Sequence, residues 1–249
     1  MNHFFVVRIK HLKRWLLLFL LALTTAFILT IGNGFIFLKD EPVALTKGNA
    51  NKSDIALTFN ISWGEERVHD ILKKLEQHQV RATFFVSGEW AERHPTILEK
   101  ISEGKHEVGM LGYRYKNYLD QEIDQVRKDL NYARQLFNKL GYEDTNLLRP
   151  PSGHFDDAIL KLAEEMNYQV VHWNVNPRDW ENPGKDIIID TVMKETENGD
   201  VILMHASDSA KQTAKALDTI LPGLKNKGYT FVSISELISQ AHAETKEVE

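Results

Sequence analysis

From Asp54 onward the chain alternates between short runs of β-forming residues and segments with helical periodicity, and this alternation restricts the fold to a few α/β architectures. Seven such runs, each followed by a helix or a loop, predict a parallel sheet. If the sheet closes, the fold is an incomplete (β/α)7 barrel. An open doubly wound sheet is the alternative, but no glycine-rich phosphate loop follows the first run. The predicted strands are Ile55–Phe59, Ala82–Val86, Glu107–Gly109, Asn146–Arg149, Gln169–Trp173, Val201–Met204 and Thr230–Val232.

The clearest helical pattern lies between the third and fourth predicted strands. Its apolar residues recur at intervals of three and four, which places them on one face of a helix. Gly141 follows the pattern, as expected for the glycine that ends a helix. The residues of this stripe are Leu119, Ile123, Val126, Leu130, Ala133, Phe137 and Leu140.

Polar, glycine and proline residues concentrate where the predicted strands end. Because the reaction chemistry of α/β barrels sits at the carboxyl ends of the strands, these positions are the candidate site. They are Thr58–Asn60, Gly109–Tyr115, Arg149–Gly153, Asp179-Trp180 and Leu203–His205.

In this order the strand ends resemble the five motifs of the NodB-homology polysaccharide deacetylases, a family of carbohydrate esterases. Three motifs are intact: Arg-Pro-Pro-x-Gly at Arg149–Gly153, Asp-Trp at Asp179-Trp180, and Leu-x-His at Leu203–His205. The Thr-Phe-Asp-Asp-Gly motif is replaced by the sequence Thr58–Gly64. Leu111–Tyr115 stands where the family has His-Ser/Thr-x-x-His. The resemblance covers residues 54 to 238.

Longer strings are similar to the PdaB-type sporulation proteins within that family. These strings are Met1–Phe5, Phe59–Gly64, Gly112–Tyr118 and His205–Thr213. The resemblance implies a role in spore formation and in the peptidoglycan of the spore cortex.

In the family, the second Asp of the first motif and the two His of the second bind zinc or another divalent ion. The resemblance places Ile61, Leu111 and Tyr115 at those positions. Ile and Leu offer no donor atom, and Tyr is a poor zinc ligand unless it is ionised. We therefore expect no family-type metal site and no cofactor. The less favoured alternative is a substitute site that draws on Glu65, Glu66 and His154.

The resemblance also assigns the proton-transfer residues. Asn60 occupies the position of the general base, and an amide does not accept a proton near neutral pH. His205 matches the general acid, which Asp179 would orient. Arg149 would normally pair with the base and here would face a neutral amide. It is either a free site for an anion, such as the carboxylate of muramic acid, or a structural clamp on a carbonyl.

Aromatic residues near the strand ends predict a groove for sugar rings, which stack their C–H faces on such side chains. About half of them are expected to serve as core packing instead, because of their large apolar area. The candidate substrate-binding residues are Trp63, Tyr113, Tyr115, Pro151 and Trp180.

The N-terminal sequence indicates a membrane anchor with the body of the chain outside the cytoplasm. Leu16–Leu38 contains no charged residue and is long enough to cross a hydrocarbon core of about 30 Å as a helix. Four basic residues precede it and are expected to remain in the cytoplasm. A cleaved signal peptide and a buried soluble helix are the alternatives. The expected divisions are a cytoplasmic tail (1–14), a transmembrane anchor (15–38), a linker (39–53), the barrel (54–240) and a charged tail (241–249).

Charge and composition exclude some other classes of protein. The net charge is −5, and without the four basic residues of the tail it is −9, which argues against a nucleic-acid partner. The chain contains no cysteine, so disulfides and cysteine-ligated metals are excluded.

Two functions remain open: a deacetylase-like protein that acts on or binds peptidoglycan amino sugars through a degenerate site, or a non-catalytic glycan-binding scaffold at the forespore membrane. Metal-dependent enzymatic activity is doubtful under either function.

Overall fold

The computed structural model describes Lys13, residues 16–25 and residues 42–246, with side-chain surroundings up to residue 240. The chain divides into two compact units between residues 41 and 42. The second unit contains all of the strands named below.

The seven predicted strands are all present, and their ends differ from the predicted ones by at most three residues. The strands are β1 (Asp54–Ile61), β2 (Thr83–Val86), β3 (Glu107–Met110), β4 (Leu147–Leu148), β5 (Gln169–Val170), β6 (Val201–His205) and β7 (Thr230–Phe231). The helices of this unit are α1 (Arg67–Gln77), α2 (Gly88–Arg93), α3 (Pro95–Glu103), α4 (Ile123–Lys139), α5 (Asp157–Glu165), α6 (Lys185–Glu195), α7 (Thr213–Asn226) and α8 (Ile234–Lys246). Single 3-10 turns cover Tyr118–Asp120, Pro151–Gly153 and Asp179–Glu181.

The strands form one parallel sheet in the order β5-β4-β3-β2-β1-β6, and β7 pairs with the start of β1. In the central register Asn60 lies beside Phe85 of β2 on one side and beside His205 of β6 on the other. After β5, Val175 makes a parallel bridge to Ile202, so the chain returns to β6 and the sheet curls round on itself. This closure favours the barrel over the open doubly wound sheet, and it brings the carboxyl ends of the strands to one rim.

Part of the predicted linker is built into the barrel. The backbone N–H of Leu45 donates to Val170 O (2.8 Å), and its carbonyl accepts from the N–H of His172 (2.7 Å). Two residues later, Lys47 bridges Asp200 at the start of β6. The packed unit therefore begins near Pro42 and not at residue 54, because this segment satisfies backbone groups in the gap between β5 and β6.

The pleat of the strands divides the core into two layers. Ile55, Leu57, Phe59 and Ile61 of β1 face the surrounding helices and are fully buried there. The alternate residues face the barrel interior, which is filled by about one apolar side chain per strand. The interior residues are Ala56, Phe85, Leu111, Leu147, Val171, Val201 and Val232.

Helix α4 confirms most of the predicted apolar stripe but begins later than the stripe does. The residues from Val126 to Phe137 that face the core are buried, whereas Leu119 is 48% exposed and belongs to a separate 3-10 turn. At the other end Gly141 has φ +88°, and the N–H groups of Gly141 and Tyr142 donate to Asn138 O and Phe137 O. These two hydrogen bonds define a Schellman motif and confirm the role predicted for Gly141.

The described part of the N-terminal region is helical over residues 16–25, and these residues are exposed. No helix among the described residues is both long and apolar enough to cross a membrane. Most of the predicted anchor, including residues 26–38, lies outside the described residues. At the other end, α8 runs through much of the predicted charged tail as far as Lys246, and residues 247–249 lie outside the described residues.

Candidate functional site

A pocket of about 550 Å³ opens at the carboxyl ends of the strands, where the sequence predicted the site. Four aromatic side chains, two histidines and several hydroxyl groups form its wall. Its lining residues are Asn60, Ser62, Trp63, Tyr115, Ser152, His154, Trp173, Trp180, Leu203, His205, Ser207 and Ser209.

His205 and Asp179 form a hydrogen-bonded pair at this rim. His205 Nδ1 lies 2.8 Å from Asp179 Oδ1, and the backbone N–H of His205 donates to Asp179 Oδ2 (2.8 Å). Asp179 is fully buried, and Thr213 Oγ1 donates to its Oδ2 (2.5 Å). Residues Arg178 and Asn182 on either side of the Asp179 turn adopt left-handed conformations, which turn the carboxylate inward. Because Nδ1 is engaged, the other ring nitrogen of His205 is the one left for a ligand in the pocket.

Arg149 is a structural clamp and not the anion site that was the alternative prediction. Its guanidinium donates to Asn60 Oδ1 (2.9 Å), His172 O (3.0 Å) and Val171 O (3.2 Å). The side chain is fully buried, and its charged end lies 4.0 Å from the ring centroid of Phe85. Burial lowers the pKa of Arg149 to about 9. No face of the guanidinium is open to a carboxylate from solvent.

The residues at the family's metal positions do not fit a divalent ion. Ile61 is buried among helix-facing residues, and Leu111 is buried inside the barrel, so both serve as packing. Tyr115 is 41% exposed on the pocket wall. Within the part of the chain that the structure describes, no three His, Asp or Glu side chains are placed to hold a metal. Of the proposed substitutes, Glu65 instead approaches His94 (3.3 Å).

The predicted aromatic residues divide between the pocket and other surfaces. Trp63 is 54% exposed on the pocket wall, and the Trp180 ring lies 5.0 Å from the His205 ring. Tyr113 lies elsewhere, since its hydroxyl donates to Glu92 (2.8 Å). Pro151 is buried and begins a 3-10 turn. Neither Tyr113 nor Pro151, both candidate substrate-binding residues, therefore lines this pocket.

Sequence reasoning missed the hydroxyl groups of the pocket and the residue that holds the neighbouring loop. Ser152 lines the pocket with φ +62°, inside the recognised Arg-Pro-Pro-x-Gly motif. Asp208 accepts hydrogen bonds from the backbone N–H groups of Glu65, Glu66 and Arg67, so it fixes the start of α1 next to Trp63. The only signal for Asp208 was its place in the string His205–Thr213.

A curved parallel sheet with a His–Asp pair and an aromatic pocket at the carboxyl ends of its strands defines an α/β barrel of the class that places its site at that rim. The chain belongs to the polysaccharide deacetylase family, whose model matches residues 47–171.

Known relatives act on peptidoglycan. A peptidoglycan-N-acetylglucosamine deacetylase of Bacillus cereus is 34% identical over 195 residues, which are 77% of this chain and 91% of the relative. The peptidoglycan-N-acetylmuramic acid deacetylase PdaA of Bacillus subtilis is 31% identical over 77% of this chain and 73% of its own length.

Solved structures with the same fold include both active and inactive proteins. A pseudoenzyme of carbohydrate esterase family 4 from Bacillus anthracis superposes with a TM-score of 0.74 at 32% identity, covering 79% of this chain and 69% of the pseudoenzyme. A mutant of the same pseudoenzyme is described as having restored enzymatic activity. A peptidoglycan N-acetylglucosamine deacetylase superposes with a TM-score of 0.76 at 33% identity, over 82% of this chain and 95% of the enzyme. Overall structural similarity therefore does not distinguish active deacetylases from a pseudoenzyme. The side chains of the site must be compared instead.

Proposed function

We propose that this protein binds N-acetylated amino-sugar chains of peptidoglycan in the pocket at the barrel rim, without the metal-dependent hydrolysis of its family. One observation carries this proposal: Asn60 Oδ1 is engaged by the buried Arg149, while hydrocarbon side chains fill the positions of Ile61 and Leu111. The loss of both a metal and a base removes the two groups that would activate water for attack on an amide.

The pocket retains what a sugar-binding site requires. A volume of about 550 Å³ falls in the range of small-molecule sites. The partly exposed rings of Trp63, Tyr115 and Trp180 offer flat apolar faces to the C–H faces of pyranose rings. His205, held by Asp179, supplies a hydrogen-bonding group toward the acetamido substituent.

The intact His205–Asp179 pair favours one alternative function, which is deacetylation by a modified mechanism. In that mechanism His205 would carry out proton transfer, and Tyr115 or a water held by Asn60 would stabilise the oxyanion. The Asn60 oxygen already accepts one hydrogen bond from Arg149, which leaves one lone pair and the amide N–H groups for such a water. No residue takes over the activation of the nucleophile in this scheme, which is why binding is the preferred proposal.

The setting of this function comes from the resemblance to the sporulation proteins. We propose that the N-terminal apolar segment anchors the barrel outside the cytoplasm, at the forespore membrane, close to the cortex glycan. Protease added to forespores freed of the mother cell and of the outer forespore membrane should degrade the barrel while the inner forespore membrane stays intact. Full protection of the barrel from external protease would contradict this location.

The proposed function is tested by measuring binding and turnover on the same preparation of full-length protein. We expect calorimetry to detect binding of N-acetylglucosamine oligomers, and we expect no acetate release above background with or without added zinc or cobalt. Trp63→Ala should weaken binding at least tenfold, whereas Ile187→Ala, which removes an exposed apolar side chain on α6, should not. Metal-dependent acetate release by the unmodified protein would refute the proposal.

A further inference from the structure

A second groove, of about 470 Å³, lies beside the pocket. The two cavities share the loop that follows β3. Tyr115 lines the pocket, while Arg114 and Lys116 on either side of it line the groove. Because consecutive Cα atoms are about 3.8 Å apart, one loop forms a wall of both cavities. The two cavities are therefore close neighbours along this loop.

The groove is positively charged within an acidic protein. Arg114, Lys116 and Lys128 line it and are exposed, and none of them makes an ion pair with a residue that the structure describes. The acid in the groove, Asp129, is already engaged: it accepts hydrogen bonds from the backbone N–H groups of Tyr113 and Arg114. It also accepts the hydroxyl hydrogen of Tyr118 (3.0 Å). Three cations therefore remain available to an external anion.

Two tyrosine rings give the groove an apolar surface beside these cations. The rings of Tyr113 and Tyr132 meet edge to face, with centroids 4.5 Å apart. The hydroxyl of Tyr113 donates to Glu92 (2.8 Å), which holds that ring in place, and Tyr132 is 53% exposed. Rings beside unpaired cations suit a ligand that combines sugar or peptide surface with carboxylates.

We infer that this groove binds the carboxylates of a peptidoglycan strand whose amino sugar occupies the neighbouring pocket. The inference rests on the proposed function, and it assigns the protein a preference for acid-bearing strands over neutral chitin-like chains. Two sources supply the same chemistry, the lactyl group of N-acetylmuramic acid and the stem peptide. The planar guanidinium of Arg114 can hold either carboxylate with two parallel hydrogen bonds, while the lysines act as point charges.

The test compares three ligands of equal chain length by calorimetry with the full-length protein. These are N-acetylglucosamine oligomers, peptide-free peptidoglycan strands, and strands that carry stem peptides. We expect acid-bearing strands to bind about tenfold or more tightly than the neutral oligomers at low salt, and this preference should shrink as salt is raised. A preference already present without peptides identifies the lactyl carboxylate, and one that appears only with peptides identifies the stem.

The double variant Arg114→Gln/Lys128→Gln should lose this preference and keep the affinity for neutral oligomers. Its matched control, Lys161→Gln/Lys215→Gln, removes the same charge from exposed positions on α5 and α7 and should behave as the wild type. The inference is overturned if the wild type shows no preference, if the preference survives the double variant, or if the control loses it equally. Failure of the neutral oligomers to bind at all would instead refute the proposed function.

Discussion

Asn60 is an amide where the family motif implies a carboxylate, yet it keeps a hydrogen bond of ordinary length to Arg149. The amide oxygen of Asn60 accepts from the guanidinium at 2.9 Å, as a carboxylate oxygen would, but an amide does not take up a proton near neutral pH. Among the described residues no carboxylate pairs with the buried Arg149, and burial lowers its pKa to about 9. The pair therefore preserves the shape of the rim and loses the base.

Arg149→Ala should destabilise the fold rather than affect ligand binding alone. The substitution leaves the oxygens of Asn60, Val171 and His172 without their donor and opens a cavity beside Phe85. We expect a loss of about 3 kcal/mol or more in the free energy of unfolding, measured by urea denaturation.

The exposed Arg178 provides the control for this change, since its guanidinium makes a surface ion pair with Glu181 and lies 5.8 Å from the ring centroid of Trp180, without a buried hydrogen bond. Arg178→Ala should alter stability by no more than about 0.5 kcal/mol. If Arg149→Ala keeps its full stability and instead abolishes ligand binding, the clamp interpretation is wrong and the anion site is right.

His106 gives the fold a pH dependence that is independent of the pocket. The ring is buried directly before β3, and Nδ1 accepts from the N–H of Ala82. Burial lowers the pKa of His106 from its usual 6.5 to about 4. Between these two values the unfolded chain binds the proton and the folded chain does not. The neutral His106 therefore contributes its stability fully above pH 6.5, and that contribution is lost as the pH falls toward 4.

Urea denaturation between pH 4 and pH 7 measures this effect. The wild type should lose on the order of 2–3 kcal/mol more stability across that range than His106→Gln, in which no group titrates at this position. The exposed His69 serves as the control, and His69→Gln should follow the wild-type profile. Parallel profiles for the wild type and His106→Gln would contradict the buried neutral imidazole.

At the scale of elements, the segment around Leu45 shows that the barrel is completed by residues outside the regular strands. Leu45 bridges β5, and Lys47, two residues later, reaches the start of β6. Lys47 Nζ also lies 3.1 Å from the buried carboxylate of Asp200. A short stretch of chain thereby satisfies backbone and side-chain groups at the gap where the sheet would otherwise end.

Leu45→Pro tests this contribution. Proline removes the N–H that donates to Val170 O at 2.8 Å, so we expect a loss of about 2 kcal/mol or more in the free energy of unfolding. Val43 is 74% exposed and lies outside the bridges, so Val43→Pro is the matched control and should be nearly neutral. Equal effects of the two prolines would indicate that residues 42–48 do not contribute to closure of the barrel.

The strands were predictable from sequence because each is a local run of apolar and β-branched residues, whereas the contacts of the Leu45 segment were not. Its partners lie more than 100 residues away. The sequence also does not predict that Tyr113 and Tyr115 line different cavities, because the two residues would share a face in a regular strand. Gly112 has φ +76°, where the chain leaves β3, so the two rings reach different cavities.

The site was predictable at the residues that carry a motif and unpredictable where orientation decides the role. The Asp179–His205 pair follows directly from two intact motifs. The choice between a clamp and an anion site for Arg149 depended on backbone carbonyls of Val171 and His172, which no side-chain pattern encodes. Non-local backbone geometry therefore marks the limit of the sequence argument.

At the scale of the whole molecule, the same barrel architecture is found in active deacetylases and in a pseudoenzyme. The core explains why this chain can carry hydrocarbon side chains at positions where the resemblance places metal ligands. Ile61 and Leu111 extend the two apolar layers to the rim, in positions where metal ligands would place polar groups in a desolvated environment. Without a metal to satisfy such groups, hydrocarbon side chains give the more stable barrel.

Restoring the family's residues should therefore make stability depend on zinc. In the variant Asn60→Asp, Ile61→Asp, Leu111→His, Tyr115→His, buried polar groups lack partners until a metal binds, so we expect a lower melting temperature than the wild type without metal. Zinc at about 100 times its dissociation constant should return about 2.7 kcal/mol, and the wild type should not respond. Elemental analysis should find one zinc per chain in the variant only.

Leu111→His alone should be destabilised and insensitive to zinc, because one imidazole cannot replace three ligands. A quadruple variant that folds and fails to bind zinc would show that these four positions do not converge at the rim, and it would contradict the assignment of metal positions that the resemblance implies.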